Sequence, residues 1–195
     1  MKVVIAIDSF KGCMNSMEAG NAAKAGILKV CDAQISVKPL ADGGEGTAEA
    51  LVEGMGGECV FVEVTGPLGT KRRARYGILG DGRTAVMEMA EAAGIILLKP
   101  EELNPSRATT YGVGEMIMDA VKRGCREFII GIGGSATSEG GVGMLQALGY
   151  EFKTQDGNPI RRGLQDLDRI MAISKENVPK VLKECHFRVA CDVTN

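Results

Sequence analysis

An α/β fold in two lobes is predicted by three features of the sequence. Short β-branched runs, beginning with Val3–Ile7, alternate with segments of helical period, as in βαβ units around a mainly parallel sheet. The exits of those runs carry glycines and carboxylates. After Gly66-Pro67-Leu68-Gly69, the strongest break in the chain, the pattern turns into an antiparallel hairpin. The expected division is a first α/β lobe over residues 1–66, incomplete without a C-terminal segment, and a second, mixed α/β lobe over 67–195 that holds the hairpin and a glycine-rich loop.

Each element has its own signal. Val3–Ile7 reads as a buried parallel strand ending at Asp8. Asn15 or Ser16 can cap a helix whose apolar positions are Ala19, Ala23, Ile27 and Leu28. Ile35–Leu40 is a second strand, and Asp42-Gly43-Gly44-Glu45-Gly46-Thr47 its exit loop. A helix through Ala48, Leu51, Val52 and Met55 stops at Gly56-Gly57, and Cys59–Val64 continues the alternation as a third strand. Lys71–Leu79 and Thr84–Met89 flank Gly80-Asp81-Gly82 as a hairpin. Its first strand opens with Lys71-Arg72-Arg73-Ala74-Arg75, the only basic cluster, readable as a solvated face or an anion-binding wall. Leu97–Thr110, with two prolines, is a loop. Tyr111–Gly124 is a helix on the face Val113, Met116, Ile117, Ala120 and Val121. Phe128-Ile129-Ile130 is a strand, followed by glycines, a helix to Leu148 and a short strand at Tyr150–Lys153. Asp156-Gly157-Asn158-Pro159 is a turn, Glu176–Cys185 reads as a helix with Pro179 in its first turn, and Phe187–Val193 is a final strand.

Bulk properties exclude several functions. At 195 residues and 45% apolar content the chain can bury a core, and a fold of this size hides roughly 70% of its unfolded surface. A net charge of −2 and only 4% aromatic residues give no electrostatic or stacking case for nucleic acid, and none for a membrane. Six cysteines show neither C-x-x-C nor metal-ligand spacing, and His186 is the one histidine, which argues against zinc. The apolar start is too short for a signal peptide and no stretch approaches membrane-spanning length, so a cytoplasmic protein with reduced thiols is expected.

The glycine loop carries the chemistry. Six of the thirteen positions from Gly131 to Gly143 are glycine, with Ser135, Thr137, Ser138 and Glu139 among the rest. Strand, glycine loop and helix N-terminus together suit an anion, most often phosphate. Gly131, Gly133 and Ala136 fit the dinucleotide pattern G-x-G-x-x-A, no lysine follows to make a Walker loop, and Thr137 breaks a lipase elbow. With Asp8 and Lys11 at one strand exit and Asp42 and Glu45 at another, the inventory is that of phosphoryl transfer: amides and a lysine for phosphate, carboxylates for Mg²⁺ and for the acceptor's proton. Two other readings stay open. One is a dinucleotide-dependent oxidoreductase with Glu151 about twenty residues on, and the other an inactive fragment or binding module.

Asp8-Ser9-Phe10-Lys11-Gly12, Ala41-Asp42-Gly43-Gly44-Glu45-Gly46-Thr47, Val64-Thr65-Gly66-Pro67-Leu68-Gly69, Gly131-Ile132-Gly133-Gly134-Ser135-Ala136-Thr137 and Cys191-Asp192-Val193-Thr194-Asn195 closely resemble the type I glycerate kinases, in that family's order. The resemblance implies ATP- and Mg²⁺-dependent phosphorylation of D-glycerate to a phosphoglycerate. It also implies two α/β lobes around a cleft, the first flavodoxin-like, with this chain matching the N-terminal portion of the family's length. A small-molecule substrate is then the expected partner, and a homodimer is compatible. Lys11 and the loop residues Gly131, Gly133, Gly134, Ser135, Ala136 and Thr137 are expected at the phosphates. Ser9, Gly43 and Gly44 belong with them as binding residues, and Asp42, Glu45 and Glu139 as metal ligands, Asp42 and Glu45 also as glycerate contacts. Asp8 or Asp192 is the expected base, and an arginine from Arg72 to Arg75, or Arg107, pairs the glycerate carboxylate. The family usually has Asn-Asp-Gly-Gly where this chain has Ser138-Glu139-Gly140-Gly141, so a metal-binding Glu139 must reposition its longer carboxylate.

Overall fold

Two sheets share one helix in the computed structural model, which describes residues 1–10, 13–40 and 46–191. Strands β1 (Lys2–Ile7) and β2 (Gln34–Pro39) pair in parallel, Val3 opposite Ile35 and Ile7 opposite Pro39, with helix α1 (Ser16–Leu28) as the crossover. Asn15 caps α1 through a reciprocal pair of bonds with Glu18, which satisfies two otherwise free N–H groups. Gly20 lets α1 approach β2 closely, since a Cβ there would sit 2.4 Å from Val37 Cγ1. The parallel pairing and its crossover helix are as the alternation predicts, but the expected burial is not: β1 alternates between exposed and half-buried positions, with Val4 68% exposed, because the helices cover one face of this two-stranded sheet.

Helix α2 (Thr47–Met55) leads into β3 (Gly57–Thr65), β4 (Lys71–Leu79) and β5 (Thr84–Glu88). The third strand was expected to extend a parallel alternation, and it does not. β3 pairs antiparallel with β4 along its whole length, from Gly57 opposite Leu79 to Thr65 opposite Lys71. Residues 66–70 are the hairpin turn between them, closed by the Gly66 N–H on Thr70 O, with Gly69 at φ +93°. β5 returns antiparallel to β4, as the Gly80-Asp81-Gly82 signal predicts. Short helix α3 (Ala90–Ala93) and helix α4 (Tyr111–Lys122) follow, then β6 (Glu127–Gly131), parallel to β5.

Beyond β6 come helix α5 (Val142–Ala147), β7 (Glu151–Lys153) paired antiparallel with β8 (Ala172–Ser174), and β9 (His186–Ala190), parallel to β6. The strand order of the larger sheet is β3-β4-β5-β6-β9. The helix expected over 176–185 is only a 3₁₀ segment, Lys180–Glu184. Pro179 is extended (φ −57°, ψ 131°) and stands before that segment as its cap; proline also pushes the preceding Val178 out of helical conformation. The final strand stops at Ala190, and the predicted loop over 97–110 contains a second 3₁₀ turn, Pro100–Glu102.

The larger sheet is covered on both faces. Val113, Met116, Ile117, Ala120 and Val121 of α4 are buried against Val64, Ala74, Tyr76, Met87, Phe128 and Ile130. On the other face Ala48 and Val52 of α2 pack on Leu79 and Val86. α2 also packs on the smaller sheet, where a Cβ at Gly54 would lie 2.9 Å from Pro39 Cγ. One helix therefore joins both sheets.

Candidate active site

The strand exits converge on the N-terminus of α2. Asp8 and Ser9, just past β1, line a cleft with Asn15, Ser16, Gly46, Thr47 and Glu49. The Asp8 carboxylate is half-buried and accepts the Ser9 N–H at 2.6 Å, which fixes its orientation. At the same helix end lies Glu88, the last residue of β5, paired in register with Gly131 where β6 enters the glycine loop. Glu88 is 5% exposed, and its oxygens accept the N–H groups of Ala48 (2.8 Å) and Gly46 (3.1 Å). Burial raises its carboxyl above the ordinary range, opposed by those two amides; Glu91 adds to the rise and Arg75 counters it.

The glycine loop is pinned at one flank and open at its bend. Ile95 donates to Gly134 O and Ala136 to Ala93 O, both at 2.8 Å, while the Thr137 N–H bonds the Ser135 hydroxyl. Gly133 and Gly134 are exposed, and among the described residues their N–H groups have no partner. Gly134 takes φ +70°, where a side chain would be strained. The bend therefore offers two adjacent amide donors to an anion.

The helix beyond the loop does not. α5 starts eleven residues after Gly131, and Glu139 occupies its end. Glu139 is 1% exposed and accepts bonds from the Thr110 N–H (2.7 Å), the Thr110 hydroxyl and the Gly143 N–H. The Thr110 hydroxyl in turn accepts the Met144 N–H. Glu139, expected as a metal ligand, thus has both oxygens engaged inside the protein, as a carboxylate is a good partner for free amides at a helix start. The dinucleotide reading loses its footing for the same reason, since it needs that helix end for the pyrophosphate.

The arginines separate. Arg75 pairs Glu91 (3.0 Å) and Glu49 (3.5 Å), Arg73 stacks over the Phe61 ring at 4.0 Å, and Arg107 is exposed on its loop. Arg72 keeps a buried Nε with no partner. Continuing the register of Gly77 with Val86 puts Arg75 level with Glu88, so this basic segment borders the same sheet end as the glycine loop. Lys11, Asp42, Gly43, Gly44, Glu45 and Asp192 lie outside the described residues. Sequence reasoning missed Glu88 and Thr110. Glu88 had a usable signal, a carboxylate at the tip of an apolar strand run, the same pattern that singled out Asp8.

Among the described residues no helix is long and apolar enough to cross a membrane. Fold and loop together define an α/β protein of the kind that takes ligands beyond the carboxyl ends of its strands. The sequence model of the glycerate kinase family matches residues 3–195, and the chain belongs to that family. It is 46% identical to the glycerate kinase of Haemophilus influenzae and 45% identical to the glycerate 2-kinase of Escherichia coli, over the whole chain in both cases. A crystal structure from Salmonella typhimurium LT2, provisionally named glycerate kinase 2, superposes on the whole chain with a TM-score of 0.95 at 46% identity. The chain spans about half the length of these relatives, 52%, 51% and 52% respectively.

Proposed function

We propose that the protein containing this chain phosphorylates D-glycerate with ATP and Mg²⁺, as a cytoplasmic enzyme acting on a free small molecule. The observation that carries the reading is the open bend of the glycine loop, with the unpartnered Gly133 and Gly134 amides, in a chain of this family. Those two N–H groups hold phosphate oxygens, and because Ile95 and Ala136 already fix the loop they need no rearrangement to do so. Lys11 adds a charge there. Asp8 or Asp192 accepts the proton of the attacking hydroxyl; Asp8 is supported by its place in a cleft and by its fixed orientation. Arg72, whose buried Nε has no partner, is the candidate for the glycerate carboxylate. Asp42 and Glu45 hold the ion, whose octahedral shell needs only one or two carboxylates. When bound, Mg²⁺ offsets charge on the transferring phosphoryl group.

The test is glycerate-dependent ADP release, measured by a coupled assay on this chain and on the full family length. Phosphorus NMR of the product assigns the hydroxyl. Full-length protein that releases no ADP in response to glycerate, with ATP and Mg²⁺ saturating, would end this reading.

A further inference from the structure

α1 and α2 begin differently. α1 is capped from within by Asn15 and Glu18. α2 begins at Gly46, which has φ +88° and no side chain to cap with. Its first free amides are satisfied from a strand of the other sheet, by Glu88, 42 and 40 positions away in sequence. Helix starts are more commonly capped by a local serine or asparagine. What the distant carboxylate adds is a link between sheets. Glu88 stands beside Gly131, where the glycine loop starts, while Gly46 directly follows Asp42–Glu45 in the chain and lines the Asp8 cleft. A second link runs parallel to it, from Arg75 of β4 to Glu49 in the first turn of α2 and to Glu91 beyond β5.

We propose that Glu88 is a positioning residue for the phosphoryl transfer: it holds the start of α2, and with it the chain position after Asp42–Glu45, at a fixed place beside the glycine loop. Each of its oxygens accepts a backbone amide at the start of α2, so it is placed to act through that helix. The catalytic consequence rests on the kinase reading; the holding role does not.

The experiment compares full-length wild type with Glu88→Gln, which keeps the volume but turns one acceptor into a donor, and with Glu88→Asp, which keeps the charge but is one methylene too short for both amides. Hydrogen exchange at Gly46 and Ala48 is measured together with steady-state kinetics per folded molecule. Exchange at those two amides is expected to rise about tenfold or more, with Thr84–Met87 still protected. Because a displacement of ~1 Å costs on the order of 10²-fold in rate, kcat should fall at least about tenfold while KM for ATP stays within about twofold. Unchanged exchange in both variants overturns the proposal, as does faster exchange with unchanged kcat, which would make Glu88 an ordinary cap. Faster exchange in an enzyme whose wild type ignores glycerate upholds the holding role and retires the kinase reading alone.

Discussion

Glu139→Gln separates a carboxylate that binds metal from one that seals a helix. The wild-type side chain accepts three hydrogen bonds at 1% exposure, two from backbone N–H groups and one from the Thr110 hydroxyl. Glutamine has the same shape but one carbonyl oxygen, and its NH₂ must face a donor. At least one buried N–H is orphaned, at about 1–3 kcal/mol, and the negative charge at the start of α5 is lost, at about 0.3–1 kcal/mol. The expected destabilisation is about 1–4 kcal/mol, large against a typical total of about 5–15 kcal/mol. With a urea m-value of about 2 kcal/mol/M, the midpoint should fall by about 0.6–2 M. The measurement is urea unfolding of the whole enzyme followed by circular dichroism in excess chelator, so that no divalent ion contributes. A midpoint that moves by less than about 0.3 M, together with activity recovered at high Mg²⁺, would refute the sealing argument and return Glu139 to the metal.

Two further outcomes follow from packing and from titration. A Cβ at Gly114 would lie 2.4 Å from Met144 O and 2.6 Å from Ala147 Cβ, so Gly114→Ala should force α4 and α5 apart and cost about 1–3 kcal/mol; calorimetry should show a melting temperature lower by several degrees. The Tyr76 hydroxyl donates to Asp119 at 2.7 Å, and burial, reinforced by that bond, holds its pKa well above the usual tyrosine value near 10. A raised folded pKa means stability fully present below about pH 10 and lost as pH rises further. Tyr76→Phe should therefore cost about 1–2 kcal/mol at neutral pH and flatten the decline in stability above pH ~10 seen by denaturant titration.

Local signals survived translation into structure better than long-range ones, of which the parallel β1–β2 pair was read and the partner of β3 was not. α1 and its cap, the buried face of α4 and the β4–β5 hairpin were legible because each is written within a few neighbouring residues. The partner of β3 was not, since Gly57–Thr65 has the same apolar content whichever strand lies beside it. The segment 176–185 has helix-forming side chains, but Val178-Pro179 decides its backbone. At the site, the glycine bend and Asp8 were visible as sequence. Glu139 was visible as an acid, yet which way it faces depends on Thr110, 29 residues earlier. Glu88 acts on residues 42 positions away, beyond any local pattern.

Glu139 and Glu88 have one more consequence. The starts of α2 and α5 are already filled by carboxyl groups of the protein itself, tethered and unable to diffuse away. Free sulfate or inorganic phosphate meets a covalently attached competitor at both. Among the described residues the glycine bend offers an incoming phosphate backbone amides with no helix dipole behind them, a site that rewards a ligand held by further contacts along its length over a small ion arriving alone.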